Sequence, residues 1–281
     1  MAKSAKIGQN FLHDKNIAKK IIGVFLPQPG PLLEIGAGPG ILSGLLLEQV
    51  AADRLTLVEI DPFLARRLQE RFGDPVRILE KNILEIDLAD LYGEQLKSSD
   101  SAGGGSDLSA PQGKVAVIGN LPYHISKALI DWFIAQRARI AAAVLMLQKD
   151  YIDKLLSAEN HKKYNAQSVA FQTLFRARRC FNVPAGAFIP APKIVSTVLA
   201  ISPADSPLQD RGDEFYHFAR LCFGERRKTL WNNLAPHFDK GRLSAAFAAC
   251  GFSEQARAEQ LPAQRFTACF TALAETGQGE R

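Results

Sequence analysis

Leu32-Leu33-Glu34-Ile35-Gly36-Ala37-Gly38-Pro39-Gly40 runs directly into Ile41-Leu42-Ser43-Gly44-Leu45-Leu46-Leu47, and this junction decides the fold. Leu32–Ile35 is a short apolar run that reads as a buried strand. The glycines read as a turn, and Ile41–Val50 reads as a helix. The same alternation extends along the chain. Leu55–Ile60, Val76–Leu79, Val115–Ile118 and Ala142–Leu147 are further Val/Ile/Leu-rich runs ended by Asp, Glu, Gly or Gln, with helical stretches such as Pro62–Arg71 between them. Strands alternating with helices through right-handed crossovers predict an α/β fold with a doubly wound, parallel sheet. Ile17, Ile21 and Phe25 recur at helical spacing, so residues 14–26 form an amphipathic helix ahead of the first strand. Phe175–Val183 and Val195–Ile201 are two more strands with no long helix between them, which predicts an antiparallel hairpin at the sheet edge.

Two segments break the alternation. Lys97–Gly113, KSSDSAGGGSDLSAPQG, is rich in Gly and Ser and is expected to be a mobile surface insertion, because the strand-like Val115–Ile118 resumes the pattern at once. Ser202–Gly212 holds two prolines and no apolar periodicity and reads as a linker. Beyond it Phe215, Phe218, Ala219 and Cys222, then Leu230 and Leu234, then Leu243, Phe247 and Cys250, then Phe266, Phe270 and Leu273 recur at helical spacing. The expected organisation is an α/β domain over residues 1–203 and a small all-helical domain over residues 204–281.

Composition excludes several classes. Hydrophobic residues are 47% and charged residues 22% of the 281, values of a globular chain rather than a disordered one. No apolar run approaches the ~18 residues that span a bilayer, and MAKSAKIGQNF has no apolar segment behind its lysines. A cytoplasmic protein with no membrane partner is expected. Cys180, Cys222, Cys250 and Cys269 form no CxxC pair, and His13, His124, His161, His217 and His237 add no ligand spacing, so no metal is expected. The net charge of +5 is mild, but it is unevenly distributed. Lys3, Lys6, Lys15, Lys19 and Lys20 face only Asp14 within residues 1–30. Residues 149–181 carry a local excess of four positive charges, and Arg226-Arg227-Lys228 stand together in an otherwise balanced helical region. Such clusters suit phosphates, although charge alone reads more readily as a solvated face.

The glycine turn removes Cβ atoms where a ligand backbone approach is needed. Glu59-Ile60-Asp61 closes the second strand about 20 residues later, where an acidic side chain accepts both ribose hydroxyls of a nucleoside. The spacing G-x-G-x-G departs from the dinucleotide pattern, and Pro39 offers no N–H to a pyrophosphate. A nucleoside without phosphates, such as S-adenosylmethionine, fits better than NAD. The fourth strand ends in Gly119-Asn120-Leu121-Pro122-Tyr123, which resembles the catalytic motif of amino-group methyltransferases. An exocyclic adenine amine is a poor nucleophile because its lone pair is delocalised. The Asn120 side-chain oxygen and the Leu121 carbonyl can hold its hydrogens, Pro122 stiffens the loop, and Tyr123 offers a π-face to the base and to developing positive charge. Without the glycine turn upstream, the same segment would read as an ordinary strand-to-helix turn.

Further segments narrow the resemblance. Gly8-Gln9-Asn10-Phe11-Leu12, Leu147-Gln148-Lys149, Phe188-Ile189-Pro190-Ala191-Pro192-Lys193, Arg226-Arg227-Lys228-Thr229-Leu230 and Arg257-Ala258-Glu259-Gln260-Leu261 occur in one order. Over nearly its whole length the chain resembles the bacterial small-subunit ribosomal RNA adenine dimethyltransferases of the KsgA type. The resemblance implies a Rossmann-like S-adenosylmethionine-dependent methyltransferase domain with a helical RNA-binding domain. The implied activity is dimethylation of N6 of two adjacent adenosines in a hairpin loop near the 3′ end of small-subunit RNA, in an assembling small subunit, by a monomer. It implies that Asn10 and Leu12 line the cofactor site, that Gly36 lies beneath the methionine moiety, and that Glu59 takes the ribose hydroxyls. Asn120 would hold the target amine beside the cofactor, and Tyr123 and Phe188 would sandwich the adenine. Arg226, Arg227 and Lys228 would meet RNA phosphates. Read alone, Phe188 is also a core or loop-anchoring phenylalanine.

This chain departs from the family at several points. Asn82 in Glu80-Lys81-Asn82 stands where the family has an Asp that accepts from the cofactor's adenine amine. Its amide oxygen can accept without charge, so a somewhat lower cofactor affinity is expected. Tyr164-Asn165 replaces a Tyr-Gly, and the Gly103-Gly104-Gly105 insertion has no family role. His124 follows the motif, but a methylated amine is acidic enough to lose its proton to water. Two rival readings are an enzyme acting on large-subunit RNA, which the Arg226–Leu230 and Arg257–Leu261 segments disfavour, and a non-catalytic assembly protein, which Gly36, Glu59, Asn120 and Tyr123 disfavour.

Overall fold

The computed structural model describes residues 10–25, 30–97, 113–208 and 211–275. The body of the expected 97–113 insertion lies outside the described residues. The strands are β1 (Phe11–Leu12), β2 (Leu32–Ile35), β3 (Leu55–Glu59), β4 (Arg77–Glu80), β5 (Val115–Asn120), β6 (Ile140–Gln148), β7 (Phe175–Val183), β8 (Phe188–Ile189) and β9 (Ser196–Pro203). Helices α1 (Lys15–Phe25), α2 (Ile41–Leu47), α3 (Pro62–Phe72), α4 (Leu88–Lys97) and α5 (Ser126–Ala135) alternate with the strands of the sheet, and α6 (Lys149–Leu155) follows β6.

One seven-stranded sheet has the order β4-β3-β2-β5-β6-β9-β7. β2 pairs in parallel with β3 and β5, β3 with β4, and β5 with β6. β2 and β3 are buried along their whole length, as expected of parallel strands covered on both faces, which is why they read as unbroken apolar runs. The architecture is therefore the α/β, Rossmann-like one anticipated. The chain steps outward from β2 to β3 and β4, then returns to the other side of β2 as β5. That reversal opens a crevice at the carboxyl ends of β2 and β5. Register places Ile35 beside Gly119, so the glycine turn and the Asn120–Tyr123 segment leave the sheet side by side.

The sheet edge is more elaborate than a hairpin. β9 runs antiparallel to β6 and lies between it and β7. Between β7 and β9, the two-residue β8 pairs antiparallel with β1 in a separate ladder, Phe11 opposite Ile189 and Leu12 opposite Phe188. Strands this short carry no readable periodicity.

Contacts divide the chain into a unit of residues 1–152 and 177–203 and a unit of residues 153–176 and 204–281. One boundary falls after Pro203, and residues 153–176 group with the helical unit rather than with the α/β unit. The reason is specific bonding. The Tyr164 hydroxyl donates to the Leu261 carbonyl at 3.0 Å, the Asn160 N–H to the Glu259 carbonyl at 2.7 Å, and Arg226 to the Lys162 carbonyl at 2.8 Å. The Tyr164 ring meets Phe223 edge-on at 5.8 Å. Helices α7 (Ala166–Leu174), α8 (Gly212–Cys222), α9 (Leu230–Leu234), α10 (Lys240–Cys250) and α11 (Ala263–Glu275) belong to this unit. Asn165, where glycine was expected, caps α7 by accepting from the Gln167 N–H at 2.9 Å.

Candidate active site

The crevice holds a cavity of about 280 Å³ whose lining includes Asn10, Gly36, Gly38, Glu59, Asn82, Asn120, Leu121, Pro122 and Tyr123. Most of the residues singled out from sequence, drawn from five separate segments, thus converge on one space.

The turn is built for close approach. Gly36 and Gly38 have φ of +66° and +54°, a left-handed conformation that is costly for residues with a Cβ. A Cβ on Gly38 would also stand 3.1 Å from the Phe11 ring. The turn's own N–H groups are spent internally. Those of Gly36 and Ala37 donate to the Val58 carbonyl, that of Gly40 to the Ala37 carbonyl, and that of Gly38 to Glu59 Oε2 at 2.8 Å. A turn with its donors committed in this way suits a ligand without phosphates.

Glu59 is buried at the end of β3, and its Oε1 accepts from the Asp61 N–H at 3.0 Å. Burial raises its pKa, opposed by the backbone donors of Asp61, Gly38 and Ile60. A carboxylate has about four lone-pair sites, so beside these three backbone donors about one stays available for a ribose hydroxyl. Asp61 caps α3, accepting from the Phe63 and Leu64 N–H groups. A second buried carboxyl, Glu34 on β2, was not singled out as a site residue. It is 1% exposed and accepts from the Ser43 hydroxyl at 2.6 Å. Burial pushes its pKa up to about 8, opposed by Ser43 and reinforced by the charge of Glu59. At neutral pH Glu34 therefore holds its proton, which leaves Asp61 as the anion beside Glu59.

Asn120 is positioned by the N-terminal segment, its Nδ2 donating to the Asn10 carbonyl at 3.2 Å. That bond occupies the donor end and leaves the amide oxygen as an acceptor. The Leu121 N–H is tied to the Met146 carbonyl at 3.2 Å. The Tyr123 hydroxyl shares a 2.7 Å hydrogen bond with Oγ of the buried Ser196, which anchors the ring at its tip.

Three site expectations differ from the structure. Phe188 does not face the cavity: it is 3% exposed and packs in the core with Leu12, Phe25 and Val198. Leu12 is likewise buried in that core and lines only a smaller adjoining void. The cause is strand alternation. Phe188 lies opposite Leu12 in the β1–β8 ladder, so the two share a face, while Phe11, one residue earlier, lines the cavity. Phe11 is the site residue that sequence reading passed over, although it sits inside a quoted motif. Asn82 does line the cavity, but its oxygen already accepts from the Leu84 N–H at 3.1 Å. His124, Ile60, Lys81 and Ile83 complete much of the lining.

Arg226, Arg227 and Lys228 are exposed in the loop between α8 and α9, in the helical unit. Arg226 is engaged by Lys162, and Lys228 pairs with Glu225 at 2.6 Å. Among the described residues, no group of three or more His, Cys, Asp or Glu side chains could hold a metal ion, and no helix is long and apolar enough to cross a membrane.

Comparison with known proteins agrees with this geometry. A protein called ribosomal RNA small subunit methyltransferase A from Prosthecochloris aestuarii is 35% identical over 274 residues, covering 97% of this chain and 95% of that one. The protein of the same name from Geobacter metallireducens is 37% identical over 280 residues, covering 96% and 95%. The crystal structure of a dimethyladenosine transferase from Plasmodium falciparum shares the fold, with a TM-score of 0.70 at 21% identity, covering 95% of this chain and 98% of that one. The family model described as ribosomal RNA adenine dimethylase matches residues 2–275, the span that holds both the glycine turn and the helical unit. The chain belongs to the ribosomal RNA adenine dimethylase family.

Proposed function

We propose that this chain transfers methyl groups from S-adenosylmethionine to N6 of two adjacent adenosines in a 3′-end hairpin loop of small-subunit ribosomal RNA, during assembly of the cytoplasmic small subunit. The carrying observation is that one cavity is lined by a phosphate-averse glycine turn, a carboxylate with a spare acceptor site, and the Asn120–Tyr123 segment. The names of the small-subunit relatives favour that RNA over the large-subunit alternative.

The cradle fits the cofactor. A Cβ on Gly38 would crowd the Phe11 ring, and Glu59 supplies an acceptor for a ribose hydroxyl. When bound, S-adenosylmethionine supplies an electrophilic methyl group on a sulfonium. Asn10, Gly36, Gly38 and Glu59 would hold it, with Phe11 walling the cavity beside the turn. Asn120 and the Leu121 carbonyl accept the two hydrogens of the target amine and favour a pyramidal nitrogen. As the nitrogen gains positive charge, these fixed acceptors and the Tyr123 π-face stabilise it without reorganising. Proton loss to water then frees the nitrogen for a second round. Because Phe188 is buried, Tyr123 is the aromatic face assigned to the base.

RNA affinity is assigned to the helical unit's Arg226, Arg227 and Lys228. Arg227 is the first choice for a phosphate contact, because its two neighbours already hold intramolecular partners. The protein is expected to act as a monomer.

The deciding experiment is mass spectrometry of small-subunit RNA from cells lacking the protein, with transfer into purified small- and large-subunit RNA by wild type and Asn120→Ala. Two adjacent dimethyladenosines missing from the small-subunit RNA and restored by wild type alone are expected. Transfer confined to large-subunit RNA would overturn the reading.

A further inference from the structure

Asn82 enters the cavity at the carboxyl end of β4, beside Ile60, Lys81 and Ile83 and beyond Glu59 from the glycine turn. With Glu59 at the ribose, the apolar walls of Ile60 and Ile83 are where a flat base would lie. This inference rests on the S-adenosylmethionine reading above, and it concerns how this chain recognises the base of that cofactor.

The orientation of the Asn82 amide is determined by its neighbours. Asn82 is the N-cap of the short turn Ile83–Glu85, and its Oδ1 accepts from the Leu84 N–H at 3.1 Å. Reversing the amide would set an NH2 group against that backbone N–H, two donors face to face, and the turn would lose its cap. At the other end, Nδ2 reaches Glu85 Oε1 only at 3.4 Å, a long contact that leaves donor capacity nearly unspent. Oδ1 keeps one lone pair beside the cap, whereas both Nδ2 hydrogens are nearly unspent, so the larger capacity left for a ligand is that of an N–H donor.

A carboxylate at this position could cap the turn with one oxygen and accept from an exocyclic amine with the other. Asn82 caps equally well, but the atom in place of the second oxygen is a nitrogen. Its match on adenine is a ring nitrogen lone pair, whereas the exocyclic amine is itself a donor. We infer that Asn82 is a specificity-determining residue that reads the cofactor's base by donating to a ring nitrogen, not by accepting from the 6-amino group.

The test is binding, read by calorimetry with S-adenosylhomocysteine and analogues. For wild type, the purine analogue lacking the 6-amino group is expected to bind within about threefold of the parent. Either the 1-deaza or the 7-deaza analogue should bind roughly three- to tenfold more weakly, the range for one neutral hydrogen bond. Asn82→Asp retains a capping oxygen and substitutes an acceptor for the donor, so it should make the 6-amino group worth on the order of tenfold or more. The wild-type comparison needs no variant to fold. An amine-less analogue that binds wild type tenfold or more weakly, or two deaza analogues that both bind as well as the parent, would overturn the assignment. Failure of S-adenosylhomocysteine itself to bind would instead refute the cofactor reading on which the inference rests.

Discussion

The glycine turn after β2 and the short β1–β8 ladder both shape the same site, yet they do so by different physics. At the turn, function is written in backbone conformation and in one backbone bond to the neighbouring strand: positive φ at Gly36 and Gly38, and the Gly38 N–H on Glu59. In the ladder, function depends on which of two adjacent residues faces which way. Phe11 lines the cavity and Leu12 the core; Phe188 is buried and Ile189 is 61% exposed. A one-residue change of register would exchange every one of those roles. The contrast teaches that a turn motif can be trusted residue by residue, while a motif on a two-residue strand identifies a place but not a facing.

The largest expected effect tests the ladder. Phe188→Ala should cost about 3–5 kcal/mol of stability, the usual range for emptying a buried aromatic site, as measured by denaturant unfolding. Its affinity for S-adenosylhomocysteine in the remaining folded protein should be little changed. A fully stable variant with lost methyl transfer would return Phe188 to the base clamp and break the comparison.

The turn's buried acid comes next. A carboxyl with a pKa of about 8 in the folded chain and 4.5 as its ordinary value binds its proton more tightly when folded. The stability it contributes is therefore complete below pH 4.5 and lost progressively as pH rises to about 8. Glu34→Gln should flatten that decline. It should match wild type near pH 5 and exceed it near pH 9 by on the order of a few kcal/mol, at about 1.4 kcal/mol per pH unit. Parallel stability profiles for the two proteins would show that Glu34 holds no proton at neutral pH.

Glu59→Ala should weaken S-adenosylhomocysteine by up to about 10²-fold, from the loss of a charge-assisted hydrogen bond worth roughly 1.5–3 kcal/mol. Calorimetry on a variant with a normal melt showing unchanged affinity would remove Glu59 from the cofactor site. The smallest effect joins the two regions. Gly38→Ala must adopt a left-handed conformation at about 1–2 kcal/mol and displace the Phe11 ring, which a Cβ would approach at 3.1 Å. A stability loss of that size with weakened cofactor binding is expected. In Gly38→Ala carrying Phe11→Leu, cofactor affinity should partly recover; no recovery would show that the ring contact is immaterial.

The α/β alternation, the glycine turn, Glu59 and the Asn120–Tyr123 segment are all legible in the amino-acid order alone. Each is local: a buried parallel strand must be apolar throughout, and a turn with positive φ asks for glycine. Their meeting at the β2/β5 reversal also follows from chain order. Tertiary structure alone decided the rest. Asn165 caps a helix, and residues 153–176 join the helical unit because Tyr164 and Asn160 bond to residues near the other end of the chain. Phe188 went to the core because its strand pairs with β1 in a register that no periodicity announced. Asn82 caps the turn Ile83–Glu85 because the Leu84 N–H reaches its oxygen. In each case the residue's role is set by the partner that reaches it first in three dimensions, and residue type alone does not name that partner.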